Sequence, residues 1–256
     1  MSSLYELTDD FVAIVQGGSR GIGLSMVKNL LKKRNLGHII TTSRTCSSEL
    51  KGLLESDARL SWYALDLEDE KSINGFSENI SSIFSKVHLL INCSGFLHDN
   101  EAIYPEKKFL DIHLNQFTKT FMTNVFGPMI LTRNLYPLLS HNEISLIVNI
   151  SARVGSLKDN QLGGWYSYRS SKAALNMFTK NLAIEMKRST NSPNICVSLH
   201  PGTVSTDLSD PFTRNISENK IFTPEESAKQ LIDIIYNLTP SDSGKFFDWS
   251  KKEIPW

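Results

Sequence analysis

A chain of 256 residues is long enough to bury a sizeable core, and α/β folds of this size are often a single domain. Its 27 Lys+Arg against 27 Asp+Glu give a formal net charge of +0, which argues against a broad basic footprint for nucleic acid and leaves a small molecule as the expected partner. No stretch approaches the roughly 20 apolar residues of a membrane span, and Asp9 and Asp10 precede the first apolar run where a leader would be basic, so neither membrane insertion nor secretion is indicated.

The first element is the strand-like run FVAIVQ, which leads directly into GGSRGIGLSMVKNLL. Ile22, Met26, Leu30 and Leu31 recur at helical spacing, so Gly17, Gly21 and Gly23 fall in a turn that opens a helix. Glycines there permit a tight turn, close approach of backbone to a pyrophosphate and close packing of helix on sheet. The helix N-terminus adds unpaired N–H groups and a positive dipole end. Such turns also arise for packing alone, but at the start of an α/β chain they predict dinucleotide binding. The second strand, HIITTS, runs into TTSRT. An NAD site usually places an acid about 20 residues beyond the glycine turn. Here Arg44 takes that region, the first acid after it is Glu49, and Arg20 lies inside the turn. Two guanidiniums near the adenosine ribose suit a 2′-phosphate, so NADP(H) is expected; their bland alternative is solvated surface charge.

A third strand, LSWYAL, is followed by Asp66 in ALDLED, an acid that at a strand end reads by itself as a helix cap. HLLINC, SLIVNI and ICVSLH read as further strands and GKFFDW as a last one, with amphipathic segments between them. This alternation predicts an α/β, Rossmann-like doubly wound and mostly parallel seven-stranded sheet with helices on both faces, in one domain over 1–256. Residues 96–112 and 203–222 lack clear periodicity and follow strand ends on the ligand-binding side of such a sheet. The second of them is the expected substrate lid. Cys46, Cys93 and Cys196 lack metal-ligand spacing, so no metal is expected and a reducing cytoplasm fits.

Ser151 directly follows SLIVNI, and Tyr168 and Lys172 stand four apart in YSYRSSKAALNMF. Ala173, Ala174, Met177 and Phe178 give that segment a helical pattern, which stacks Tyr168 and Lys172 on one face. An ammonium beside a phenol favours phenolate, so Tyr168 is expected to titrate below the usual value of about 10 and to trade protons with a substrate. By spacing alone the pair reads as an amphipathic surface contact, Ser151 as a strand-end cap and Asn124 as a packing asparagine.

Together these segments resemble the short-chain dehydrogenase/reductase family from about Phe11 to the C-terminus. QGGSRGIG matches the family's TGxxxGxG motif with Gln16 in place of threonine, and Asn92-Cys93-Ser94-Gly95 stands where the family has NNAG. Asn124 in TNVFGP matches its helix asparagine, Ser151 in NISARVGS its serine, Tyr168 and Lys172 its YxxxK pair, and PGTVST its PGxVxT signature. The departures at Gln16, Cys93 and Ser94 fall on turn-supporting positions. DNQLGGWYSYRSSKAALNM and GKFFDWSKKEIPW look most like the C-factor-like branch, which includes the sniffer type of carbonyl reductase.

The resemblance implies NADPH-dependent reduction of an aldehyde, ketone or quinone. Tyr168 would give the proton, Ser151 hold the carbonyl oxygen, Lys172 support Tyr168 and the ribose, and Asn124 support a water chain. It also implies a cofactor site made of Gly17, Ser19, Arg20, Gly21, Ile22, Gly23, Arg44, Asp66, Leu67, Asn92, Ser94, Gly95, Tyr168, Lys172, Pro201, Gly202, Val204 and Thr206, the last meeting the nicotinamide carboxamide. Arg153, Trp165 and Tyr166 flank the catalytic pair and are candidates for the substrate pocket, although the two aromatics serve equally as packing. His200 reads as structural. The signalling role for which the branch is named keeps a cofactor-binding sensor with little turnover as the alternative. In related enzymes the helices of FTKTFMTNVFGPMILTRNLYPLL and YSYRSSKAALNMFTKNLAIEM pack against symmetry mates, so a homodimer or homotetramer is expected.

Overall fold

The computed structural model of the protein describes residues 9–99, 103–189, 194–214, 217 and 220–256. The first half alternates strictly: β1 (Phe11–Gln16), α1 (Gly21–Leu31), β2 (Leu36–Ser43), α2 (Ser48–Ser56), β3 (Leu60–Ala64), α3 (Glu70–Ile83) and β4 (Leu89–Asn92). After β4 the chain reaches α4 (Leu114–Phe121), which passes through one π-helical turn (Met122–Phe126) into α5 (Gly127–Leu139). Next come β5 (Leu146–Ile150), the long α6 (Tyr166–Ser189) and β6 (Ile195–His200). The short β7 (Thr203–Val204) and β8 (Ile221–Phe222), then α7 (Pro224–Tyr236) and β9 (Phe246–Asp248), complete the order.

Seven strands form one sheet in the order β3-β2-β1-β4-β5-β6-β9. Every neighbouring pair is parallel, so the expected doubly wound α/β sheet is the one observed. Its strands are buried on both faces, which is why they read as continuous apolar runs. Successive side chains point to opposite faces: Ala13 and Val15 join one apolar layer with Met26, Leu30, Leu231 and Ile235, while Ile14 joins the other with Phe76, Leu131, Leu135 and Met186. Each such buried Val, Leu, Ile, Phe or Met side chain contributes about 1.5–3 kcal/mol. The winding reverses between β1 and β4, and ligands of such sheets bind at the carboxyl ends beside that switch point.

The 203–222 segment differs from the structureless loop read from the sequence. Thr203 and Val204 pair in parallel with Ile221 and Phe222, and a 3₁₀ turn covers Asp210–Phe212. Strands of two residues are too short to show a period. At the amino ends of the strands, the Val12 N–H donates to His88 Nδ1 at 3.1 Å and His88 Nε2 lies 2.9 Å from Glu143 Oε2. His141 Nε2 lies 3.0 Å from the Val87 carbonyl and its Nδ1 accepts the Glu143 N–H at 3.3 Å. The ring nitrogens of His88 and His141 are thus committed to hydrogen bonds, which makes this group with Glu143 a fastening at the amino ends of the central strands. Among the described residues no helix is long and apolar enough to cross a membrane.

Candidate active site

At the carboxyl ends of the strands lies a cleft of about 1110 Å³, lined from the glycine turn through the ends of β4 and β5 to the first turns of α6 and the 203–213 segment. Gly17 has φ +87°, and a Cβ there would stand 2.5 Å from Ser94 Oγ. At Gly23 a Cβ would stand 2.2 Å from the Gly17 carbonyl oxygen, so any side chain would lift α1 off the turn. α1 has no side-chain cap and no acid in its first turn, which leaves its N–H groups and dipole facing the cleft. That fits a pyrophosphate. Ser19 is turned elsewhere: its hydroxyl donates to the Thr45 carbonyl at 2.8 Å and accepts the Ser47 N–H at 3.0 Å, tying the turn to the segment after β2.

Two of the departures from the family motif compensate each other. Gln16 Nε2 donates to Ser94 Oγ at 2.6 Å, and the Ser94 N–H donates to Gln16 Oε1 at 3.1 Å. The buried amide is thereby satisfied by the one residue that Gly17 leaves room for.

Beyond the end of β2 Arg44 lines the cleft, and Arg20 reaches across to Asp207 at 3.3 Å in an exposed pair. Ile22, Asp66, Leu67 and Gly95 also line it. Asp66 Oδ1 accepts the Glu68 N–H at 2.9 Å, and the cap of α3 is Asp69, whose Oδ1 accepts the Lys71 N–H at 2.9 Å. Asp66 is therefore not spent as the helix cap. Pro201, Gly202, Val204 and Thr206 line the opposite wall.

Ser151, Tyr168 and Lys172 meet at the centre of this wall, all three nearly out of solvent. The Ser151 N–H is paired with the Leu199 carbonyl at 2.8 Å, while its Oγ is buried with no partner. Lys172 Nζ donates to the Ile150 carbonyl at 2.9 Å and stands 5.8 Å from the centre of the Tyr168 ring. Burial lowers the Lys172 ammonium to about 8 and raises the Tyr168 phenol above its ordinary range. The expected acidification of Tyr168 is thus reversed, because withdrawal from water disfavours the phenolate. Tyr168 is a protonated phenol at neutral pH. Burial also raises the Cys93 thiol to about 12 and lowers the His200 imidazole to about 4.

Asn124 sits in the π-helical turn, wholly buried behind the cleft. Its Oδ1 accepts the Phe96 N–H at 2.7 Å, and its Nδ2 donates to the Phe96 carbonyl at 2.9 Å and to Ser171 Oγ at 3.0 Å. It clamps the segment after β4 to α6. Asn92 lies inside the sheet, where its Nδ2 donates to Asn149 Oδ1 at 2.8 Å and to Thr132 Oγ1 at 3.2 Å. Of the three substrate candidates, Trp165 lines the cleft, its ring centre 4.9 Å from Phe212 and 6.2 Å from Tyr168. Arg153 lines it too, held by Asp159 at 2.8 Å and Asp248 at 3.1 Å. Tyr166 packs edge-on against Phe109 at 6.1 Å, outside the cleft lining. Sequence reasoning missed Phe212, whose only signal is an aromatic residue within an aperiodic segment, and Asp159, which carries no motif at all.

A glycine turn that fits a phosphate at one end and buried groups able to exchange protons at the other share one cleft, an arrangement suited to an oxidoreductase that draws its electrons from a dinucleotide. The family model described as short chain dehydrogenase matches residues 11–217, and the chain belongs to that family. A carbonyl reductase from chicken fatty liver, solved with NADPH bound, is similar with a TM-score of 0.84 and 29% identity over 98% of this chain and 100% of that one. The carbonyl reductase Sniffer of D. melanogaster is similar with a TM-score of 0.83 and 25% identity, covering 96% of this chain and 99% of that one. C-signal of Myxococcus xanthus is 32% identical over 146 residues, 57% of this chain and 82% of that protein. These likenesses support the carbonyl reductase, sniffer-like branch within the family.

Proposed function

We propose that the protein reduces a small aldehyde, ketone or quinone to the alcohol with NADPH, with Tyr168 as proton donor. The observation that carries this reading is the Ser151 hydroxyl, buried without a partner in the same cleft wall as a protonated Tyr168. An orphaned buried donor costs about 1–3 kcal/mol, and a substrate carbonyl oxygen would satisfy it. The N–H groups of the glycine turn and of α1 would hold the pyrophosphate, Arg20 and Arg44 the 2′-phosphate, Lys172 the ribose and Thr206 the carboxamide. When bound, NADPH supplies a hydride to the carbonyl carbon. Tyr168 delivers its proton to the carbonyl oxygen, and Ser151 donates a hydrogen bond to that oxygen as negative charge develops on it. Asn124 keeps the segment after β4 seated against α6.

Mixing the protein with NADPH and a panel of reactive aldehydes, ketones and quinones, and following the loss of NADPH absorbance, tests the reading. Tyr168→Phe should lower turnover by at least about 100-fold with NADPH affinity unchanged, because only the hydroxyl is lost. Near-parental turnover in that variant would overturn the mechanism. No turnover on any probe would favour a cofactor-binding sensor instead. We further propose assembly as a homodimer or homotetramer through α4, α5 and α6, where Phe126, Met177 and Ile184 expose apolar side chains; light scattering that found only monomer at micromolar concentration would refute it. The three free thiols suit a reducing cytoplasm.

A further inference from the structure

α6 carries both Tyr168 and Lys172, yet the residue before it is Trp165, whose indole accepts no hydrogen bond and cannot cap a helix. The cap comes from the segment between β4 and α4. Glu106 Oε2 accepts the Ser167 N–H at 3.1 Å and the Ser167 hydroxyl at 3.0 Å, and the Glu106 carbonyl accepts the Trp165 N–H at 2.5 Å. Glu106 is 2% exposed, and its second carboxylate oxygen is buried with no partner. Gln116 of α4 closes the network by donating to the Tyr104 carbonyl at 2.8 Å and to Ser167 Oγ at 3.4 Å.

This clamp works on a strained segment. Gly163, Gly164 and Trp165 have φ of +62°, +64° and +51°, and the last is a conformation that a bulky side chain adopts only when its surroundings enforce it. Tyr168 lies in the helical turn that Glu106 holds, and the Trp165 ring rests against Tyr168 on one side and Phe212 on the other. Slack in this turn would displace the phenol, whereas the glycine turn belongs to other elements and would stay in place.

We propose that Glu106 is a positioning residue, which caps α6 from the segment after β4 and so fixes the height and rotation of the Tyr168 hydroxyl in the cleft. It acts through Tyr168 and therefore rests on the reading of Tyr168 as proton donor. Misplacement of a reacting group by about 1 Å can cost on the order of 100-fold in rate. Glu106→Ala should accordingly lower kcat for an ortho-quinone probe such as phenanthrenequinone by about 10- to 100-fold, while NADPH affinity, read by quenching of protein fluorescence, stays within about twofold. Glu106→Gln keeps an acceptor oxygen at the same reach and should recover most of the loss.

The decisive measurement is the double variant. In a Tyr168→Phe background Glu106→Ala should cost less than about threefold more, because the group it positions is already gone. A merely structural role would instead lower the folded fraction, counted by NADPH-binding stoichiometry, and cost the same in both backgrounds. Should Glu106→Ala not fold, Glu106→Asp, one methylene short of Ser167, replaces it: a fall in kcat of at least about fivefold at unchanged NADPH affinity supports the proposal. Parental kcat per folded molecule in either variant, or an undiminished penalty in the Tyr168→Phe background, overturns it. Should Tyr168→Phe alone keep full activity, it is the proton-donor reading that fails.

Discussion

Lys172 is kept as a cation where burial works to discharge it: its side chain is almost wholly out of solvent, and its ammonium titrates at about 8 against an ordinary 10.5. At about 1.4 kcal/mol per pH unit, a drop of that size costs the folded state about 3 kcal/mol at pH 7. Lys172→Met removes the charge and keeps much of the length. It forfeits the hydrogen bond to the Ile150 carbonyl, worth about 1 kcal/mol. The net expectation is a variant about 2 kcal/mol more stable at pH 7, with Tm raised by about 4–8 °C for a domain of this size, and without reductase activity. Because the folded pKa is depressed, the unfolded chain binds more protons than the folded one between about 8 and 10.5, so the parent gains stability as pH rises through that window. The advantage of Lys172→Met should therefore shrink by about 1 kcal/mol between pH 7 and 9. Urea unfolding of both proteins without cofactor at these two pH values measures it. A variant that is less stable at pH 7, or whose advantage is the same at both, would refute the account of Lys172 as a costly buried cation.

The same lysine governs the activity profile: kcat/KM for NADPH reports the free enzyme, so it should fall above about pH 8 as Lys172 loses its charge, while Tyr168 stays protonated; a profile flat to about pH 9.5 would contradict this. NADPH should be preferred over NADH by at least about tenfold in kcat/KM, since a charge-assisted contact is worth about 1.5–3 kcal/mol, and Arg44→Asp should erase or reverse the preference; equal efficiency in the parent would refute the 2′-phosphate assignment. Acid should destabilise the fold earlier than carboxylate titration alone, because burial holds His200 down to about 4 and lowers His88 as well. Both are neutral in the folded state while the unfolded imidazoles protonate near about 6.5, so stability is present above that value and falls as pH drops toward about 4. His200→Asn should flatten the decline in Tm between pH 7 and 5, and a Tm that does not fall in the parent would count against it.

The sheet was legible in the sequence because its strands are buried on both faces: FVAIV, LLI and LIV are apolar without interruption at the hearts of β1, β4 and β5, and the helices between them carry clear stripes. The glycine turn was legible for a related reason, since backbone approach as close as that at Gly23 admits no side chain and leaves its mark in residue type. The parts that stayed hidden depend on contacts between distant segments. Glu106 meets Ser167 across 61 positions, and nothing in either neighbourhood announces the other. Phe212 meets Trp165 across 47 positions with no motif on either side, and the pairing of Thr203 and Val204 with Ile221 and Phe222 is too short for any period.

Tyr168 shows where pattern and physics part. Stacking a lysine one turn above a tyrosine suggests that the cation acidifies the phenol, and at a surface it would. Here the helix carries both groups into the sheet wall, and desolvation acts on each in the direction of its neutral form. On the proposal that Tyr168 is the proton donor, the outcome suits reduction better than the expected one, because such a donor has to hold its proton until negative charge appears on the substrate oxygen. A phenol kept neutral by burial does so across the neutral range, and a nearby ammonium stabilises phenolate only as the proton departs. What spacing cannot show is depth, and depth decides which of these two effects is larger.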